Sequence, residues 1–193
     1  MALTILGAGY INSLDDEGDK ARALKSVYYF AKDAVLEDAN WSFAIRRFIP
    51  AENTAEPIFG WTYSFTIPSD IIRVVRVLRD TAGATPLPYS WYEFPEEYSA
   101  AHVIEGNEIL CNDAPIYCYG VRKMEDEGGF SPLFAEAFAA KLAALTAQAL
   151  TGSNTKQQIA LSLYAGAIKS AKSRDGQQNT TRRMRNRVLS DSR

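Results

Sequence analysis

Histidine is nearly missing from this chain: His102 is the only one in 193 residues, and cysteine occurs twice, at Cys111 and Cys118. A single histidine excludes the histidine-rich metal sites. The cysteines form neither a CxxC motif nor the framework of a small secreted domain, so reduced thiols in an intracellular setting are expected. No stretch reaches the ~18 consecutive apolar residues that span a bilayer. The start, MALTILGAGYINSLDDEGD, lacks the basic n-region and small-residue cleavage site of a signal peptide. A soluble chain with no membrane partner, no metal and no cofactor is the expectation.

Apolar residues make up 47% and charged residues 23%, a globular composition. The length suits one core, or one core with a small subdomain inserted. Charge is unevenly placed. From Lys169 to Arg193 there are eight Lys/Arg against two acids, a net +6, which leaves -8 on the rest of a chain whose total is -2. An acidic body with a basic tail points to an interaction arm.

The first helix is expected from about Asp19 to Asn40, where Ala21, Leu24, Val27, Tyr28, Ala31, Ala34 and Val35 recur at helical spacing. Asp15, Asp16, Glu17 and Asp19 favour the positive end of its dipole. Trp41, Phe43 and Ile45 then alternate with polar or small residues, which reads as strand. Trp61, Tyr63, Phe65 and Ile67 supply a candidate β core, and Pro68-Ser69-Asp70 turns the chain. The run IIRVVRVL is ambiguous by period, but its β-branched residues favour a strand. In a regular strand Arg73 and Arg76 would fall on opposite faces. A hairpin is expected around Gly106 and a further strand over Ile116–Val121. Ser131-Pro132 opens an alanine-rich helix closed by Gly152, with Phe134, Phe138, Leu142 and Leu145 as candidate packing residues within or between subunits. A last helix from about Asn154 carries Ile159, Leu163, Ala167 and Leu161, Ala165, Ile168 on a broad inner stripe. After Lys172 the polar, basic sequence suggests disorder in isolation.

The predicted fold is therefore α+β. Residues 1–44 and 126–172 build a helical bundle, 45–125 form an inserted antiparallel β subdomain, and 173–193 are a flexible basic arm.

Chemistry is thinly spread. His102 with Cys111 or Cys118 imitates a nucleophile pair without an elbow to present it. Glu96-Glu97 and Glu125-Asp126-Glu127 are paired carboxylates in loop-like contexts. LGAGY lacks the remainder of a phosphate-binding loop. Trp41, Phe43, Trp61, Tyr63, Phe65, Trp91, Tyr92, Phe94, Tyr117 and Tyr119, interleaved with Arg46, Arg47, Arg73, Arg76 and Arg79, suit either a stacking platform for single strands or β-domain packing. The tail suits phosphate contacts or docking on an acidic groove. No catalytic site assembles, and a non-enzymatic protein is expected.

Taken in order, LGAGYINSLDDEGDKARAL, YYFAKDAVLEDANWSFAIRR, GWTYSFTIPSDIIRVVRV, YEFPEEYSAAHVIEGNEILCNDAPIYCYGVRK and FSPLFAEAFAAKLAALTAQALTG resemble the tail tubular protein A family of short-tailed bacteriophages. These are the head-to-tail adaptors also called gatekeepers, and the resemblance covers residues 2 to about 175. It implies a structural virion protein at the head–tail interface, made in the host cytoplasm. It also implies a twelve-subunit ring between portal protein and tail nozzle protein, through which genomic DNA is ejected without specific binding. Partners implied are the portal, the nozzle, neighbouring copies in the ring, and, left open, tail fibres. The acidic body would repel DNA phosphates along such a channel. The basic tail matches no motif of that family, and Arg174, Arg182, Arg183, Arg185, Arg187 and Arg193 are assigned to portal docking as a hypothesis. A nucleic-acid-binding module is the alternative.

Overall fold

The computed structural model describes residues 1–80 and 98–177. Trp91, Tyr92, Phe94, the Glu96-Glu97 pair and the sequence from 178 onward lie outside these residues. Helix α1 (Ala2–Leu6) is followed by α2 (Asp19–Glu37), strands β1 (Ile45–Phe48), β2 (Ala51–Glu52), β3 (Tyr63–Thr66), β4 (Ile71–Arg79), β5 (His102–Glu105), β6 (Glu108–Cys111) and β7 (Ile116–Arg122), then α3 (Pro132–Thr151) and α4 (Asn154–Gln177). Among the described residues, four helices and two small antiparallel sheets make a mixed α+β fold, in agreement with the sequence.

Helix α3 is the axis of the helical part. The Ser131 hydroxyl accepts the Phe134 N–H at 3.2 Å, Pro132 occupies the first turn, and Gly152 closes the helix at φ 61°. Its buried alanines allow close approach, and α1, α2 and α4 all pack on it. By length and composition α3 is apolar enough to cross a membrane. Here much of that apolar surface, Phe134, Phe138 and Leu142 included, is buried inside the protein. Helix α1 is a feature that the sequence reading missed, because five residues carry little periodicity. Leu3 and Leu6 bury in the helical core, and Gly7, at φ 60°, lets the N–H groups of Gly7 and Ala8 turn back to Thr4 and Leu3.

Two sheets complete the fold. One runs β1-β7-β4 and the other β2-β3-β6-β5. The first is a shared wall. Ile45, Ile72, Val75 and Val121 join the helical core, whereas Phe48, Ile71, Val74, Val77, Ile116 and Cys118 join a second core with Phe65, Ile109 and Cys111 of the other sheet and Ile67 just after β3. The layers are thus helices, sheet, sheet.

Strand β4 explains its own ambiguous period. Its pairing on β7 steps from Ile71 opposite Arg122 to Arg73 opposite Val121, and from Val74 opposite Gly120 to Arg76 opposite Tyr119. Ile72 and Val75 are therefore extra residues, each making a β-bulge. The two bulges reset the phase, so the triplets Ile71-Ile72-Arg73 and Val74-Val75-Arg76 serve two cores from one strand, and pairing is regular from Arg76 to Arg79. The expected opposition of Arg73 and Arg76 is thereby corrected: their partners Val121 and Tyr119 lie two apart on β7, so both arginines share a face.

Three further expectations change. The strand expected from Trp41 is a 3-10 turn over Ser42–Ala44, and strand begins only at Ile45. Trp41 is instead fully buried, with its indole N–H donating to Val35 O at 2.8 Å. On α4 the buried positions are Ala160 and Ala171, with Tyr164 and Ile168 packed beside them. Ile159, Leu161 and Leu163, expected inside, are 47–51% exposed. Residues 173–177, assigned to a flexible arm, continue α4 as helix.

Candidate functional site

The residues that could carry covalent or acid–base chemistry have structural partners. His102 and Cys111 do meet as cross-strand neighbours in the β5–β6 hairpin. The Cys111 thiol, however, donates to Asp113 O at 3.1 Å, and the His102 ring nitrogen Nδ1 lies 2.8 Å from Ala100 O. Burial pushes the Cys111 thiol up, and pushes Cys118 up to about 12. That is opposite to the lowered pKa of an activated thiol. In the acidic run, Asp126 accepts from the Gly128 N–H at 2.8 Å, and Glu127 accepts from Lys32 and Tyr28, each at 3.3 Å. Lys32 is only 4% exposed, so Glu127 neutralises a buried ammonium that also sits 5.2 Å from the Tyr29 ring centre. Among the described residues no group of three or more His, Cys, Asp or Glu is placed to hold a metal ion.

The aromatic and arginine residues divide between packing and surface. Trp41 and Phe43 leave the β region, stack on each other, and meet Phe130 and Phe134 of the helical core in edge-on and tilted contacts. Phe65 and Ile67 are buried in the β core with Tyr63 packed against them, whereas Trp61 stands outside it, half-buried. Gly60, at φ 83°, turns the chain just before Trp61, and β3 starts only at Tyr63. Arg46 pairs with Asp70, Arg73 donates to Asn40 Oδ1 at 2.6 Å, and Arg47 lies 5.4 Å from the Tyr119 ring centre. Asp70 also accepts the Lys123 N–H through its carbonyl, which fixes the corner after β3.

Of the residues assigned to subunit packing, Phe134, Phe138 and Leu142 face the chain's own core, and Leu145 points outward at 38% exposure. Of the docking arginines, Arg174 lies in the last turn of α4, beside a cleft bounded by Ser42, Phe43, Phe130 and Asp175. Arg182, Arg183, Arg185, Arg187 and Arg193 fall outside the described residues.

What the chain exposes is apolar surface that sequence reasoning did not single out. Tyr29 and Phe30 are 67% and 66% exposed on α2, on the side away from Leu24, Ala31 and Val35. The signal was available, since both fall off the helical stripe. Ile159, Leu161 and Leu163 form a second outward set on α4. A third lies at the far end, where Ile58 and Phe59 stand 98% and 85% exposed in the loop before Trp61. Lone exposed apolar residues need no explanation, but grouped ones on regular helices mark contact surfaces. The candidate functional site among the described residues is therefore this set of exposed apolar groups, candidates for contact surfaces. No family model and no curated protein matches the chain.

Proposed function

We propose that this chain is a structural subunit of a bacteriophage head-to-tail adaptor, which assembles as a ring between portal and tail nozzle and encloses part of the DNA ejection channel. The observation that carries this reading is the exposed apolar residues on two different helices of the bundle. A subunit closed in a ring needs a surface for each of two neighbours. The ordered motifs resembling the tail tubular protein A family, and a helical bundle built from both chain ends around an inserted β region, support the same reading. In it, Arg174 and the arginines at 182, 183, 185, 187 and 193 meet carboxylates of the portal, and the Ile58-Phe59 loop, on the opposite layer, faces the nozzle.

The experiment is a mass measurement of the purified chain alone and with its portal protein, at physiological salt. A ring-sized complex on the portal supports the adaptor. A chain that ignores portal but holds single-stranded DNA at that salt would favour the nucleic-acid alternative instead.

A further inference from the structure

The layer built by β2, β3, β5 and β6 carries charge of one sign. Residues 49–67 and 98–115, which form it, hold Glu52, Glu56, Glu105, Glu108 and Asp113 and no Lys or Arg. Elsewhere acids meet partners: Asp15 pairs with Lys25, Asp70 with Arg46 and Glu127 with Lys32, and Asp38 accepts the Tyr164 hydroxyl. On the face of this layer away from the β core, a hollow of about 550 Å³ lies between the 53–61 loop and the sheet. Its walls are mostly apolar, Phe59, Trp61 and Leu110 among them, and the exposed Glu56, Glu105 and Glu108 line it as well. Glu105 and Glu108 are direct cross-strand partners in the β5–β6 hairpin, and the Ser64 hydroxyl donates only to Glu108, at 2.6 Å. Like charges directly opposite destabilise a sheet. A cation is therefore drawn here by the field of the whole layer and by relief of that repulsion.

The chain itself supplies a complementary segment. Residues 178–193 hold five arginines against one acid, Asp191, and Arg187-Val188-Leu189 sets a cation beside two apolar residues. Reach agrees. Asp175 touches Ser42, and Asn53, which also lines the hollow, is 11 residues beyond Ser42. Eleven residues span at most about 40 Å, and the path between follows β1 and β2, both edge strands of their sheets. Arg187 lies 12 residues beyond Asp175, so it and the residues after it can cover that distance. We infer that Arg187, Val188 and Leu189 dock in the hollow of their own chain, with Arg187 between Glu105 and Glu108 and the two apolar side chains over Trp61 and Leu110. Its own chain is favoured over another copy because a tether of this length sets a local concentration of about millimolar. The contact goes beyond the adaptor reading and does not rest on it: the arm is bound to its own chain before any partner offers carboxylates.

The test uses the full chain, whose native Cys111 and Cys118 are both buried. Leu189→Cys is combined with Thr54→Cys, in the hollow, or with Ser162→Cys, exposed on α4. Ser162 lies about 20 Å along the helix from Asp175, well within reach of residue 189. Each pair is oxidised with copper–phenanthroline at low protein concentration, and peptide mass mapping counts disulfides within and between copies. The 54–189 link is expected within one copy, about tenfold faster than the 162–189 link. That advantage should vanish in about 1 M salt, where the charges are screened. It should also vanish when Arg187→Gln, or Glu105→Gln with Glu108→Gln, is added. Arg187 lies outside the two cores, so its variant separates lost docking from lost folding. Equal rates for the two links, or an advantage that survives all three glutamine substitutions, would overturn the contact. Links from 54 to 189 found only between copies would overturn it too, and would give the hollow to a neighbour's arm.

Discussion

Ser42 donates both its backbone N–H, at 3.0 Å, and its hydroxyl, at 2.7 Å, to the carboxylate of Asp175, 133 residues further along the chain. The contact pins the last turn of α4 to the turn that leads from α2 into β1. It also anchors the C-terminal end of α4. Asp175→Ala leaves a partly buried N–H and hydroxyl without their acceptor, which costs about 1–3 kcal/mol. Asp175→Asn keeps an acceptor and should cost less. Urea denaturation of the three proteins gives the order.

The same contact sets where the proposed docking arm can be cut. Removing residues 173–193 deletes Asp175, whereas removing 178–193 keeps it. The shorter truncation should be the more stable of the two by about 1–3 kcal/mol, and both should lose portal docking in a pull-down. Equal melting temperatures would show that Asp175 is not an anchor. Portal binding retained by both would remove the arm from the docking reaction.

Lys32 and Glu127 test how a buried charge is held. The ammonium is 4% exposed and its ion-pair partner, 3.3 Å away, is half exposed. Glu127→Ala strands the ammonium in the helical core and should destabilise by about 2–4 kcal/mol, near the range for breaking a buried pair. Lys32→Met, which keeps the stem and removes the charge, should lie within about 1 kcal/mol of the parent protein. Calorimetric melting of both variants separates the two costs. Equal losses would mean that packing, not charge, governs the site.

Strand β4 shows why the sequence was legible in some places and closed in others. Helices α2 and α3 were readable because periodicity and caps agree: Ser131, Pro132 and Gly152 mark α3 locally. The hairpin was readable because Gly106, at φ 59°, occupies a two-residue loop between paired Glu105 and Glu108. The faces of β4 were not, since a bulge depends on the partner strand and leaves only a false helical period in the sequence. On α4 the aliphatic residues misled for another reason. Hydrophobicity marks what will be covered, and it does not say whether the cover is this chain or another copy. The exposed aliphatic residues of α4 therefore read as core.

Gly120 of β7 gives the bulged strand a direct test. A side chain there would begin 2.8 Å from Ile71 Cγ2, 3.1 Å from the Arg73 carbonyl oxygen and 3.1 Å from a Phe48 ring carbon. Two of these neighbours belong to the first bulged triplet and cannot retreat without disturbing the pairing. Gly120→Ala should destabilise by about 1–3 kcal/mol through overpacking, although alanine ordinarily gains over glycine in the unfolded state. A midpoint in urea equal to or above the parent value would show that the bulge yields.

Alkaline pH should act through Tyr28. Burial of the phenol, reinforced by the Glu127 carboxylate beside it, pushes its pKa from 10.0 up to about 12. The folded value lies above the unfolded one, so the protonated phenol favours the fold. That contribution is complete below pH 10 and is lost as pH rises from 10 toward 12. Cys118, also raised to about 12 by burial, adds a second loss that starts near its ordinary value of 9.0. Tyr28→Phe removes the first loss and leaves the second. At pH 8 the variant should be the less stable, through the missing hydrogen bond to Glu127. From pH 10 to 11.5 the difference from the parent protein should shrink, because only the parent has this phenol to ionise. Thermal melts across that range read the difference directly, and a constant gap would mean that Tyr28 titrates alike in both states.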